Sequence, residues 1–186
     1  MKSSIQLTVV LFAIVGLSTT AMAQSGSVKN HEGIILSAGV ESGISAGNFR
    51  NSQKWSIGGS LQADFQVQDQ LYIIAGAGYE NFFGKHNQAD LQLLPVLAGI
   101  KYFPVSKLYI QAAAGTAFVL NKEEVNYKRT AAFLYVPQIG VQFPAGGTNF
   151  IDAGVRDEGS ARYTSTAANS KVSSFGLRVA YAYAAK

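Results

Sequence analysis

Residues 55–67 read WSIGGSLQADFQV, and the side of this segment on which water lies decides the fold. Trp55, Ile57, Leu61, Phe65 and Val67 share one parity, whereas Ser56, Ser60, Gln62, Asp64 and Gln66 share the other. A period of two is the signature of a β-strand with two chemically different faces. In a soluble sandwich or ligand-binding barrel the apolar face points inward; in a membrane barrel the assignment is reversed.

The same alternation recurs along the chain, predicting eight strands at about 34–42, 54–67, 71–83, 91–103, 108–120, 131–143, 149–158 and 172–184. The segments at 68–70, 104–107 and 144–148 are short. Those at 43–53, 84–90, 121–130 and 159–171 are longer and polar. Short turns at one end and longer loops at the other describe an up-and-down meander. Leu71-Tyr72-Ile73 and Leu108-Tyr109-Ile110 each follow a short turn, with Asn149-Phe150-Ile151 a weaker third copy, so the repeating unit is a two-stranded hairpin.

Sorting all strands by parity answers the opening question. One face gathers aliphatic residues, with aromatics toward its ends: Trp55, Phe65, Tyr79, Phe103, Phe118, Phe133, Phe143, Tyr181 and Tyr183. The other carries Glu41, Asp64, Glu80, Asp152, Arg156 and Arg178 among glycines such as Gly58, Gly76, Gly78, Gly140, Gly154 and Gly176. The polar face is also the small face. The interior of an eight-stranded barrel has room for long charged side chains only where their neighbours are small, whereas an outward face has no reason to concentrate glycine. Lipid outside and polar groups inside follow, with the aromatics as interfacial girdles. The predicted fold is all-β, an eight-stranded antiparallel up-and-down transmembrane β-barrel. Its fourth strand is the exception: Gln92 and Lys101 lie on opposite parities, which calls for a bulge, an interfacial lysine or a displaced strand end.

The N-terminus fits an exported protein. Lys2 precedes the apolar run Ile5–Leu17, and Ala21-Met22-Ala23 supplies small residues for cleavage before Gln24. This reads as a signal peptide over 1–23, leaving one barrel domain over 24–186 and an outer-membrane destination. There is no cysteine, so stability comes from sheet closure and burial rather than from disulfides. The formal net charge is +4 with basic residues scattered along the chain, which argues against a nucleic-acid partner.

The chain resembles the small outer-membrane β-barrel proteins of Gram-negative bacteria, the OmpX-, OmpW- and opacity-protein-like group. The resemblance is carried by Gly99-Ile100-Lys101-Tyr102-Phe103 running into a turn, by Lys107–Ala112, and by the last strand Phe175–Tyr183. Such proteins often end on an aromatic residue read by the barrel insertion machinery; here Ala184-Ala185-Lys186 follow Tyr183. The resemblance implies an envelope barrel in the outer membrane; the expected partners are outer-membrane lipid and the barrel insertion machinery, with lipopolysaccharide as the alternative reading of the loop charges, and the expected state is a monomer. It does not imply a particular activity.

The residues bound the chemistry further. In a closed meander the last two strands neighbour the first, which places Asp152, Arg156, Arg178 and Glu41 to form one buried network that fills the lumen and fixes register. A narrow channel for small solutes is the competing reading of the same charges. A lipid-modifying enzyme would need a base beside a nucleophile, yet only His31 and His86 exist, and His86 has no serine within several residues. No His, Asp or Glu pair has metal-ligand spacing, and no cofactor is expected. A secreted lipocalin-like barrel requires the opposite facing of the strands. The expectation is a non-enzymatic barrel, structural or surface-binding, with specificity in the longer loops. Their Arg50, Lys85, Lys122, Lys128, Arg129, Arg162 and Lys171, with Glu123, Glu124, Asp157 and Glu158, are solvated charges or contacts for lipopolysaccharide phosphates.

Overall fold

A computed structural model describes residues 33–85, 88–164 and 170–185. The predicted signal peptide, His31 and His86 lie outside the described residues. Eight antiparallel strands close into one barrel in chain order, β8 returning to β1. They are β1 (Ile34–Ser45), β2 (Gln53–Gln68), β3 (Leu71–Gly84), β4 (Leu91–Tyr102), β5 (Leu108–Val119), β6 (Ala131–Gly146), β7 (Asn149–Arg162) and β8 (Lys171–Ala185). A short 3-10 turn, Gly47–Asn51, joins β1 to β2. Closure leaves no unpaired sheet edge, the condition for a sheet to survive in lipid.

Apart from β4 the strands keep the predicted parity, and the wall is inverted relative to a soluble barrel. Val40 and Leu61 are each 67% exposed on the outside, while Asp64 and Arg178 are each 2% exposed within. At the closing seam Glu41 is in register with Arg178, and Ile44 with Phe175. Register shifts fall only near strand ends, at Gln53/Ser56, Gln66/Gln68, Pro144/Gly146 and Gly159/Arg162. At the tight turn after β6, Gly146 has φ 102° and Gly147 φ 60°, a backbone that side-chain-bearing residues rarely adopt.

Three expectations are corrected. Strand four needs no bulge: β4 pairs with β3 and β5 in unbroken register, Gln92 sits at its outer rim, and Lys101 points inward with 1% exposure. Phe103 is not on the outer girdle. β4 ends at Tyr102, which is exposed; Phe103 keeps the inward parity of Lys101, its amide bonded to the Gln70 carbonyl, and packs against Tyr72 and Tyr109 inside the barrel. Glu158 is not a loop residue, because β7 runs on to Arg162 and buries it in the lumen. The other eight girdle aromatics lie on the outward parity, with Trp55 stacked on Phe83 at a centroid distance of 4.3 Å.

The lumen is layered. At the loop end, Phe49 and Tyr163 fold inward over Phe82, Leu91, Leu93 and Leu134, forming an apolar plug. At the turn end, Ile35, Tyr72, Phe103, Tyr109 and Phe150 form a second apolar cluster. The charged side chains lie between them.

Candidate functional site: a layered ion-pair lumen

The lumen separates into two charge clusters joined by one arginine. On the turn side, Lys101 Nζ lies 3.1 Å from Asp64 Oδ2 and 2.9 Å from Asp152 Oδ2, with both carboxylates buried. Tyr109 donates to the second oxygen of Asp152 at 2.6 Å, and Gln138 Nε2 donates to Tyr109 Oη at 2.5 Å. Gln62 donates to the second oxygen of Asp64 at 2.6 Å. The ammonium also lies 4.2 Å from the centroid of the Tyr109 ring, a cation–π contact. Both oxygens of each carboxylate therefore have a partner, the condition under which a buried ion pair is tolerable.

Glycine makes this cluster possible. A Cβ at Gly140 or Gly154 would collide with the Tyr109 hydroxyl, so the glycines on β6 and β7 shape the pocket for the phenol.

On the loop side, Arg156 Nη1 lies 2.5 Å from Glu41 Oε1, and its Nη2 lies 3.4 Å from Glu158 Oε2. Arg178 joins the two clusters: its Nε is 3.4 Å from Glu41 Oε1 and its Nη1 is 3.6 Å from Asp152 Oδ1. Arg178 also donates to the hydroxyls of Ser60 and Ser37, each at 3.1 Å, and Ser60 donates to Glu41 at 2.7 Å. Asp152, Arg156, Arg178 and Glu41 thus come together as their strand positions imply. Asp64 joins them through Lys101, which parity placed at the boundary of two readings. Glu80 is buried beside Glu158 without an ion-pair partner among the described residues.

Space inside is small. A cavity of about 40 Å³ lies between Glu41, Ser60, Gln62, Gln138, Arg156 and Arg178, room for only a few waters. The apolar plug separates it from the loops.

The loop end is basic. Arg162 and Lys171 are directly opposite each other across β7 and β8, both exposed, and the Arg129 backbone amide is tied to the Tyr163 carbonyl beside them. Like charges in cross-strand register repel unless an anion screens them. A second feature is a polar surface cavity of about 430 Å³ between the loops, lined by Ser52, Gln53, Glu124, Tyr127, Lys128 and Thr164. Tyr127 stacks on Tyr163 at 5.3 Å. Burial pushes the Tyr127 phenol up to about 12, so it stays neutral at physiological pH. Among the described residues no group of three or more His, Cys, Asp or Glu side chains is placed to hold a metal.

An apolar exterior around a charged, closed lumen defines the chain as an eight-stranded β-barrel of the outer-membrane type. Among solved structures that share the fold are two outer-membrane proteins. OprG, an outer membrane protein of Pseudomonas aeruginosa, matches at 10% identity with TM-score 0.51, over 83% of this chain and 96% of that one. The Yersinia pestis outer membrane protein Ail, in a phospholipid bilayer nanodisc, matches at 16% identity with TM-score 0.51, over 82% and 99%. At these identities the likeness is one of fold. No family model matches the sequence, and no curated protein matches it.

Proposed function

We propose that this protein is an integral outer-membrane barrel without enzymatic activity, acting as a structural or surface-binding element through the loop end of the barrel. The observation that carries the reading is the inverted wall around a lumen packed at both ends. Such a body presents little but its loops to the outside. Its natural contacts are outer-membrane lipid, the insertion machinery that delivers it, and the phosphates of lipopolysaccharide. The opposed Arg162 and Lys171, with Arg129 nearby, supply a multivalent cationic surface for such phosphates. The monomer is the expected working unit.

Envelope fractionation with carbonate extraction tests the location, with recovery in the membrane pellet expected; recovery in the soluble periplasmic fraction overturns it. Planar-bilayer recording of refolded protein tests the closed lumen. Absence of steady unit conductance is expected, and a reproducible unit conductance replaces this reading by a narrow solute channel. For the loop end, the double change R162E/K171E is expected to weaken binding to lipopolysaccharide-containing vesicles severalfold, and more so at low salt. Unchanged binding removes the rim from the interface.

A further inference from the structure

We propose that Glu80 and Glu158, walled into the loop-side half of the lumen, form a proton-binding site: the folded barrel holds a proton between these carboxyl groups that the unfolded chain releases. Among the described residues the lumen buries five acidic side chains, Glu41, Asp64, Glu80, Asp152 and Glu158, against three cations, Lys101, Arg156 and Arg178. The excess is local. Lys101 is shared by the two aspartates, and Arg156 and Arg178 both converge on Glu41. What remains for Glu158 is the 3.4 Å contact with Arg156, and Glu80 has no ion-pair partner among the described residues.

The oxygens give a second, independent observation. Glu80 Oε2 and Glu158 Oε1 are both buried without a hydrogen-bond partner. Burying a carboxylate oxygen with no partner is costly, and two buried carboxylates side by side, sharing only the long Arg156 contact, resist ionising together. One proton shared between them removes both costs. The surroundings offer little else: the Ser56 hydroxyl beside Glu80 and the single Arg156 contact of Glu158. Leu93 faces Glu80 from β4, Ser56 lies beside it on β2, and Tyr163 lies near Glu158, while the nearby charges are Glu41 on β1, Arg156 and the outward Asp157 on β7, and Arg178 on β8. The void between Glu41, Glu80, Arg156, Glu158 and Ser174 is about 10 Å³, enough for at most one water and too small for a hydrated cation.

A native state that binds one more proton than the unfolded chain loses stability as pH rises. The test uses the full barrel refolded into phospholipid bilayers. Infrared spectroscopy in heavy water is expected to show the carbonyl band of an un-ionised carboxylic acid at neutral pH, lost on alkaline titration. Glu80→Gln and Glu158→Gln should each remove the band, and Glu123→Gln in the exposed loop should leave it. The denaturant midpoint of the unmodified barrel should fall from neutral to alkaline pH, and that of Glu80→Gln should stay flat. Absence of the band at neutral pH in the unmodified protein overturns the proposal whether or not the variants fold. A band that survives both lumen substitutions overturns it too. So does a band that vanishes on adding sodium, potassium or calcium at fixed pH, which would assign the site to a cation.

Discussion

The two halves of the lumen solve the same problem to different degrees. Around Lys101 every carboxylate oxygen has a partner, drawn from five strands: Asp64 and Gln62 on β2, Lys101 on β4, Tyr109 on β5, Gln138 on β6 and Asp152 on β7. Around Glu80 and Glu158, one oxygen of each is left over, along with Arg156 Nε and the hydroxyl of Ser45. The first cluster ties strands together at a fixed register, because a slip of one residue would turn each member to the lipid side. The second is held more loosely and has room to change its protonation. The polar core of one small barrel thus combines a lock with a titratable site, and the two respond differently to substitution.

The largest effect is expected at the lock. Lys101→Met removes the shared cation and leaves two buried carboxylates facing each other, a loss of about 3–5 kcal/mol. Unfolding in urea with the barrel in lipid, followed by heat-dependent gel mobility, measures it. Replacing all three members together, as in D64L/K101M/D152L, should recover most of that loss, since a removed buried pair costs far less than a broken one. A triple variant as unstable as the single one would show that packing, not charge, is what Lys101 supplies.

Arg178 stands between the halves, and its loss is partly covered. Glu41 keeps Arg156 and Asp152 keeps Lys101 when Arg178 is removed. Arg178→Ala is therefore expected to cost less than Lys101→Met, about 2–3 kcal/mol, the scale for leaving buried acceptors short of one charged donor. Equal costs would mean that the arginine, not the lysine, organises the network. Tyr109→Phe comes next, at about 1–2 kcal/mol: Asp152 loses its 2.6 Å donor and Gln138 its acceptor while the ring stays in place.

Much of this is legible in the sequence. Alternation alone gave the strand count and which wall faces lipid, because a side-chain period of two leaves only two ways to orient each strand. It also brought Glu41 and Arg178 to one face, and the meander brought them to one seam. Four features escaped. Lys101 was ambiguous because parity does not say which of Gln92 and Lys101 lies beyond the barrel wall; only the register with β3 and β5 puts Gln92 at the rim. Phe103 was misassigned because strand four is apolar on both parities, so its sequence does not say which side faces lipid; Phe103 continues the inward parity of Leu91, Leu93 and Lys101. Glu158 shares the inward parity of Asp152 and Arg156 but closes the predicted strand, and it was counted with the loop because the continuation of β7 to Arg162 is polar on both faces and gives no periodic signal. The plug was hidden for a different reason. Phe49 and Tyr163 come from connections, and only closure of the barrel brings them over Leu91 and Leu93.

The smallest expected effect tests whether the two halves are coupled. Ser60 sits at the junction: its hydroxyl donates to Glu41 at 2.7 Å and accepts from Arg178 Nε at 3.1 Å. Ser60→Ala removes both bonds but leaves Glu41 with Arg156 and Arg178, so a loss of about 1 kcal/mol is expected from a neutral donor at a still-satisfied site. The informative quantity is its interaction with the arginine. If Ser60 acts only through that junction, the double variant S60A/R178A should be less destabilised than the sum of the two single changes, by about 0.5–1 kcal/mol. Paired with Lys101→Met instead, Ser60→Ala should add without interaction, because Lys101 touches neither Ser60 nor Glu41. Coupling of Ser60 to both cations would mean that the lumen unfolds as one network, and that the difference between lock and titratable site is one of satisfaction alone.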